Sequence, residues 1–149
     1  MQQFYFAQKA FIVHDGRLLL VRKSADDPNQ AGKWEVPGGR MDFGEDVDPH
    51  IIREVKEEVG LTIKPGRPFF LWQWQLARKS ATGEIAQMQI VAVARLCSPT
   101  TMEISEAGRV EGDFLDECRW VTFAEIKLYD LIPNMLPVVE AFLQEVALR

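Results

Sequence analysis

Apolar residues along this chain gather in short runs separated by turn-forming residues, with helical periodicity in two places only. Phe4 to Val13 reads as a strand, His14-Asp15-Gly16-Arg17 as a tight turn, and Leu18 to Arg22 as the return strand. Ala25 to Lys33, with Asp26-Asp27-Pro28-Asn29 inside it, reads as a loop. A short strand, Trp34-Glu35-Val36, then leads into a turn at Pro37-Gly38-Gly39. A helix is predicted from Asp48, as N-cap, with Pro49 just inside and Gly60 as its stop. Phe69 to Ala77 and Ile85 to Cys97 read as strands around Ser80-Ala81-Thr82-Gly83. Arg119-Trp120-Val121 reads as a short strand after the acidic loop from Ser105 to Glu117. Leu136 to Leu148 reads as a closing helix, with Val138, Val139, Phe142, Leu143 and Val146 on its apolar side. Strands mixed with two main helices predict an α/β or α+β sandwich in a single domain, residues 1–149.

Composition narrows the class. A chain of 149 residues with 47% hydrophobic and 26% charged residues has enough apolar material for one core and is not of disordered type. Seventeen Lys and Arg against 22 Asp and Glu leave a net charge of −5, where grip on extended nucleic-acid backbone calls for a basic excess. Cys97 and Cys118 lack C-x-x-C spacing and read as free thiols, and His14 and His50 form no zinc pattern. The N-terminus lacks the features of a signal peptide, and the longest apolar run, Ile90 to Ala94, is too short to span a bilayer. The expectation is a soluble, cytoplasmic protein with no membrane partner.

Candidate chemistry concentrates between Gly38 and Leu61. On a helical projection Ile51, Ile52, Val55 and Val59 share one arc about 100° wide, which faces the core. Glu54, Glu57 and Glu58 occupy an arc on the opposite side, mutual neighbours at i+3 and i+4. Like charges so spaced cost about 0.2–0.5 kcal/mol per pair, and the last turns of a helix disfavour anions. A hard divalent cation would offset both effects, since Mg²⁺ takes carboxylate, water and phosphate oxygens. By itself such a face is ordinarily a solvated one. The flanks change that reading: Pro37-Gly38-Gly39 lets backbone approach a ligand or metal closely, and Glu45 and Arg53 are spaced to pair and pin the loop to the helix.

Taken together, the spacing is Gly39-x5-Glu45-x7-Arg53-Glu54-Val55-x-Glu57-Glu58-x-Gly60-Leu61. This segment, 39–61, resembles the 23-residue signature of the Nudix hydrolases at every defining position. Trp34 to Gly39 before it and Arg119-Trp120-Val121 after it are similar to the family's flanks. Only Ile51-Ile52, where small residues are common, departs from the pattern. The resemblance implies an α/β/α sandwich around a mixed sheet, and Mg²⁺- or Mn²⁺-dependent hydrolysis of a nucleoside diphosphate linked to another group. It also implies Glu54, Glu57 and Glu58 as metal ligands, with the Gly38 carbonyl as a further candidate, and Arg53 and Glu45 as the structural pair. Which glutamate acts as general base is left open.

Further residues are candidates by position. A loop acid often joins such a site, and among Glu103, Glu106, Glu111, Asp113, Asp116 and Glu117 the choice falls on Glu111, beside Gly112. Lys23 and Arg40 are placed to hold phosphates, with surface charge an equal alternative. Phe70, Trp72, Trp74 and Leu76 share one strand face that could stack a base, although core packing is the favoured reading. Asn134 lies where some relatives place a base-reading amide, against a favoured turn or capping role. The proline of ADP-ribose hydrolases is missing at Gln75 to Ala77, and the tyrosine of dinucleoside-polyphosphate hydrolases at Ala77 to Lys79. The expected function is therefore (deoxy)nucleoside triphosphate pyrophosphohydrolysis. An ADP-ribose, sugar-nucleotide or RNA-end diphosphatase is the alternative, and a silent ligand-binding module is disfavoured by the intact glutamates. The expected partner is a small nucleotide, with a homodimer left open.

Overall fold

Asp15 and Gly16, both at positive φ (49° and 71°), close a two-residue hairpin between β1 (Gln2–His14) and β2 (Arg17–Lys23). The two strands pair only at Val13–Leu18 and His14–Arg17 before they part. Beyond that point β2 pairs with β3 (Trp34–Glu35) and with β7 (Leu115–Thr122). β1 instead pairs with β4 (Gly38–Arg40) and runs parallel to β6 (Ile85–Pro99), which carries β5 (Ile63–Lys79) antiparallel on its far side. The computed structural model describes residues 1–110 and 112–148.

Two helices cover this mixed sheet. α1 (Val47–Val59) lays Ile51, Val55 and Val59 on Ala10, Ile12, Leu19 and Val21. α2 (Leu136–Ala147) lays Val138, Val139 and Phe142 on Phe11, Leu18 and Leu20. Alternate residues of one strand thus feed opposite cores, so Leu18 to Val21 is apolar throughout. The result is the α/β/α sandwich. Among the described residues no helix is long and apolar enough to cross a membrane.

Two local expectations are corrected. The helix begins two residues early, with Asp46 in extended geometry at the N-cap and Asp48 inside the first turn, where it pairs with Arg95 at 2.6 Å. Proline is tolerated anywhere in that turn, because the N–H groups there have no intrahelical acceptor. Pro37-Gly38-Gly39 is not simply a turn, since Gly38 to Arg40 continues as a strand on β1. A Cβ on Gly38 would lie 2.2 Å from the Gln8 carbonyl oxygen, and its φ of 142° is itself a glycine conformation. The glutamate arc is partly withdrawn from solvent: Glu58 is only 6% exposed, because the β3–β4 segment covers that flank of α1.

Candidate active site

Where β1 and β2 diverge, the β3–β4 segment passes over the C-terminal half of α1. The Gly38 N–H donates to Glu58 Oε2 at 2.7 Å. Beside it, a Cβ on Gly39 would sit 2.8 Å from the Glu54 carboxylate, so the bare backbone leaves that carboxylate its space. Burial pushes the Glu58 carboxyl up to about 8, despite Lys9 and the Gly38 N–H, and it raises Glu54 as well, despite Arg53.

Arg53 organises the other flank. Its Nε and Nη2 donate to the two Glu45 oxygens at 2.8 and 2.7 Å, the bidentate geometry of a strong pair. Those bonds hold Glu45 down at about 2. Nη1 of Arg53 also donates to Glu57 at 3.2 Å, and Glu57 is turned toward it. The loop and the helix are thereby joined through one guanidinium.

A cleft of about 650 Å³ opens over this surface. Glu54, Glu58, Gly38, Arg53, Lys23, Arg40 and Asn134 all line it. Lys23 Nζ lies 3.3 Å from Glu35 and donates to the Asp113 carbonyl at 3.1 Å, so it is anchored rather than free. Arg40 stacks over the Tyr5 ring at 4.3 Å. Glu111 lies outside the described residues, whereas Asp113 of the same loop lines the cleft. Along the aromatic stripe of β5, Phe70 and Trp72 pack against the α2 core, while Trp74 and Leu76 pack against Ala7, Ile90 and Ala92 and also line the cleft with Ile132.

Sequence reasoning missed a buried ion pair in the floor. Lys9 Nζ donates to Glu35 at 2.5 Å, with both residues under 9% exposed. Burial alone would lower Lys9, but Glu35 and Glu58 outweigh it and leave its pKa raised. Glu35 is correspondingly lowered, because Lys9 and Lys23 outweigh its burial. The available signal was Gln8-Lys9 in the middle of an otherwise apolar strand. Ionisable groups there need partners.

This donor set fits a hard divalent cation. One buried and one partly buried carboxylate, both with raised pKa values, sit beside backbone that a side chain would obstruct, and all the oxygens are hard ligands. Among the described residues no three His, Cys, Asp or Glu side chains already converge as a metal cage, and Glu57 is engaged by Arg53.

The family profile described as "NUDIX domain" matches residues 7–142. This chain belongs to the Nudix hydrolase family. The CTP pyrophosphohydrolase of Escherichia coli (strain K12) is 26% identical to this Nudix chain, covering 90% of it and 87% of that protein. The 8-oxo-dGTP diphosphatase of the same organism is 30% identical over 79 residues, 45% of this chain and 61% of that protein. The crystal structure of a MutT NUDIX hydrolase from Burkholderia pseudomallei is 25% identical, with a TM-score of 0.68, covering 93% of this chain and 97% of that one.

Proposed function

We propose that this Nudix chain hydrolyses a (deoxy)nucleoside triphosphate to the monophosphate and pyrophosphate, with Mg²⁺ or Mn²⁺ held by Glu54, Glu57 and Glu58. The observation that carries the reading is the composition of one cleft. Carboxylates line its floor, Lys23 and Arg40 its side, and Trp74, Leu76 and Ile132 an apolar wall. Similarity to a CTP pyrophosphohydrolase over most of both chains supports the same reading.

The roles follow from the chemistry. A polyphosphate repels nucleophiles by its own charge, and a bound divalent cation neutralises that charge and acidifies water. Lys23 and Arg40 draw the phosphate oxygens toward the floor by charge. Trp74 and Leu76 offer a surface on which a base can stack. Glu45 and Arg53 keep the start of the helix in place, so the carboxylates meet the phosphates at a fixed depth. Lys9 and Glu35 neutralise each other beneath the glutamates and keep that floor dry and rigid. Water then adds to one phosphorus, the bond from it to the bridging oxygen breaks, and a carboxylate at the site takes the proton.

A panel of free nucleoside triphosphates, ADP-ribose, sugar nucleotides and capped RNA, assayed with each metal, tests the assignment. Release of monophosphate and pyrophosphate from a triphosphate is the expected result. Inactivity toward every triphosphate, with turnover of ADP-ribose or another member of the panel, would replace this reading with the diphosphatase one.

A further inference from the structure

The interior between sheet and helix holds a polar chain that the roles above do not use. His50, on the first half of α1, is wholly buried, and its Nε2 has no hydrogen-bond partner among the described residues. The Nδ1 edge is fully determined. Gln8, 2% exposed on β1, places its amide nitrogen 2.8 Å from His50 Nδ1 and donates from the same nitrogen to the Val47 carbonyl at 2.7 Å. Arg95 on β6 fixes which way that amide points, because its Nη1 lies 3.2 Å from Gln8 Oε1 and a guanidinium only donates. Arg95 is in turn held by Asp48 at 2.6 Å and by the Gly66 carbonyl at 2.9 Å.

One tautomer satisfies these contacts. With the Gln8 oxygen committed to Arg95, its nitrogen must donate to Nδ1, so the ring accepts there and carries its proton on Nε2. The protonated Nε2 faces Glu54, one helical turn on, whose Oε1 lies 3.9 Å away. That distance is about 1 Å beyond a hydrogen bond, so the bond forms only if the Glu54 carboxylate moves toward the ring from a position where its Oε1 also faces Arg53 Nη1 at 3.4 Å. Carboxylates that bind metals are themselves hydrogen-bonded by outer groups that fix their orientation.

We propose that His50 is a positioning residue for Glu54, its ring locked by Arg95 and Gln8 in the form that presents an Nε2–H donor to the carboxylate facing the metal. The inference rests on the reading of Glu54 as a metal ligand. It gives a purpose to three polar residues, Gln8, His50 and Arg95, at positions where an apolar side chain would pack without any need for partners.

The test has a spectroscopic arm and a binding arm. The chain has two histidines, so a His14→Gln background with ¹⁵N-labelled histidine isolates the His50 ring by NMR. The expected signature is a neutral ring protonated at Nε2, and a ring protonated at Nδ1 overturns the proposal without any variant of His50. Mn²⁺ affinity, measured by electron paramagnetic resonance without substrate, is then compared across variants that circular dichroism shows to be folded. Loss of the donor in His50→Phe should weaken Mn²⁺ binding by about tenfold, and His50→Gln, which keeps an N–H donor, should stay within about threefold of the parent. If His50→Phe fails to fold, the tautomer and the His50→Gln affinity decide, and a tenfold loss in the latter overturns the proposal. Weakened binding in Glu54→Gln with none in His50→Phe overturns the positioning role alone. Unchanged binding in Glu54→Gln overturns the metal-ligand reading beneath it as well.

Discussion

Glu58 on α1 accepts a hydrogen bond from the Gly38 backbone N–H at 2.7 Å, twenty residues back along the chain. That contact carries the β3–β4 segment over the helix and turns a surface glutamate into a buried one. The wall it creates excludes water from the carboxylate, and the raised pKa of Glu58 follows from that exclusion.

Replacing either Glu54 or Glu58 should abolish turnover while leaving the fold intact. In Glu54→Gln and Glu58→Gln we expect kcat to fall by about 100-fold or more, within the range general acid–base and metal-ligand losses reach. Steady-state kinetics across a Mg²⁺ titration would measure it, and near-parental turnover in both variants would contradict the assignment.

Stability of the metal-free protein should depend on pH through Glu58. Its carboxyl titrates at about 8 in the folded state against an ordinary value of 4.5. The folded form therefore keeps a proton that the unfolded chain releases, a contribution complete below about pH 4.5 and lost as pH rises through 8. The Tm of Glu58→Gln in EDTA should accordingly rise relative to the parent between pH 5 and 8.5. Each kcal/mol of relief is worth about 2–4 °C. Parallel Tm curves would exclude the buried-proton account.

The opposite sign holds for Glu45. Held at about 2 by Arg53, it stabilises the fold above pH 4.5, and the contribution fades as pH falls toward 2. Acid unfolding of Glu45→Gln should lose this component, seen as a shallower Tm decline over that window. Its kcat should drop by about tenfold, because the Arg53 side chain loses its bidentate anchor.

Gly38→Ala should destabilise the protein by about 2 kcal/mol or more. The new Cβ would meet the Gln8 carbonyl oxygen at 2.2 Å, at a φ of 142° that costs about 1–3 kcal/mol by itself. Urea unfolding with an unchanged m-value would report it, and Gly83→Ala, also at positive φ (89°) but with nothing within 4 Å, separates the backbone strain from the clash.

Trp74→Ala should raise KM for a nucleoside triphosphate more than it lowers kcat. Base stacking on an aromatic ring is worth about 1–3 kcal/mol, so a KM increase of about tenfold is expected. Trp72→Ala should instead lower Tm, because that ring packs in the core.

Much of this protein follows from order along the chain. Hairpin, helices and apolar faces were legible because each is set by neighbours within a few residues: a φ-positive turn at Asp15-Gly16, a period of 3.6 from Ile51 to Val59, a left-handed Gly60 at the helix end. The glutamate spacing and the Arg53–Glu45 pair were legible for the same reason, being local to one loop and one helix. Whether a residue is wet or dry, and which edge of it finds a partner, is decided by segments far apart in sequence. Glu58 is buried by Gly38, and Lys9 is satisfied by Glu35. Which members of the β5 stripe also line the cleft is set by the segments that pack beside it, and His50 takes its tautomer from Gln8 and Arg95 on two other strands. Spacing determines which groups can be neighbours. Burial, which sets their charge and their direction, exists only once the sheet and helices have closed over them.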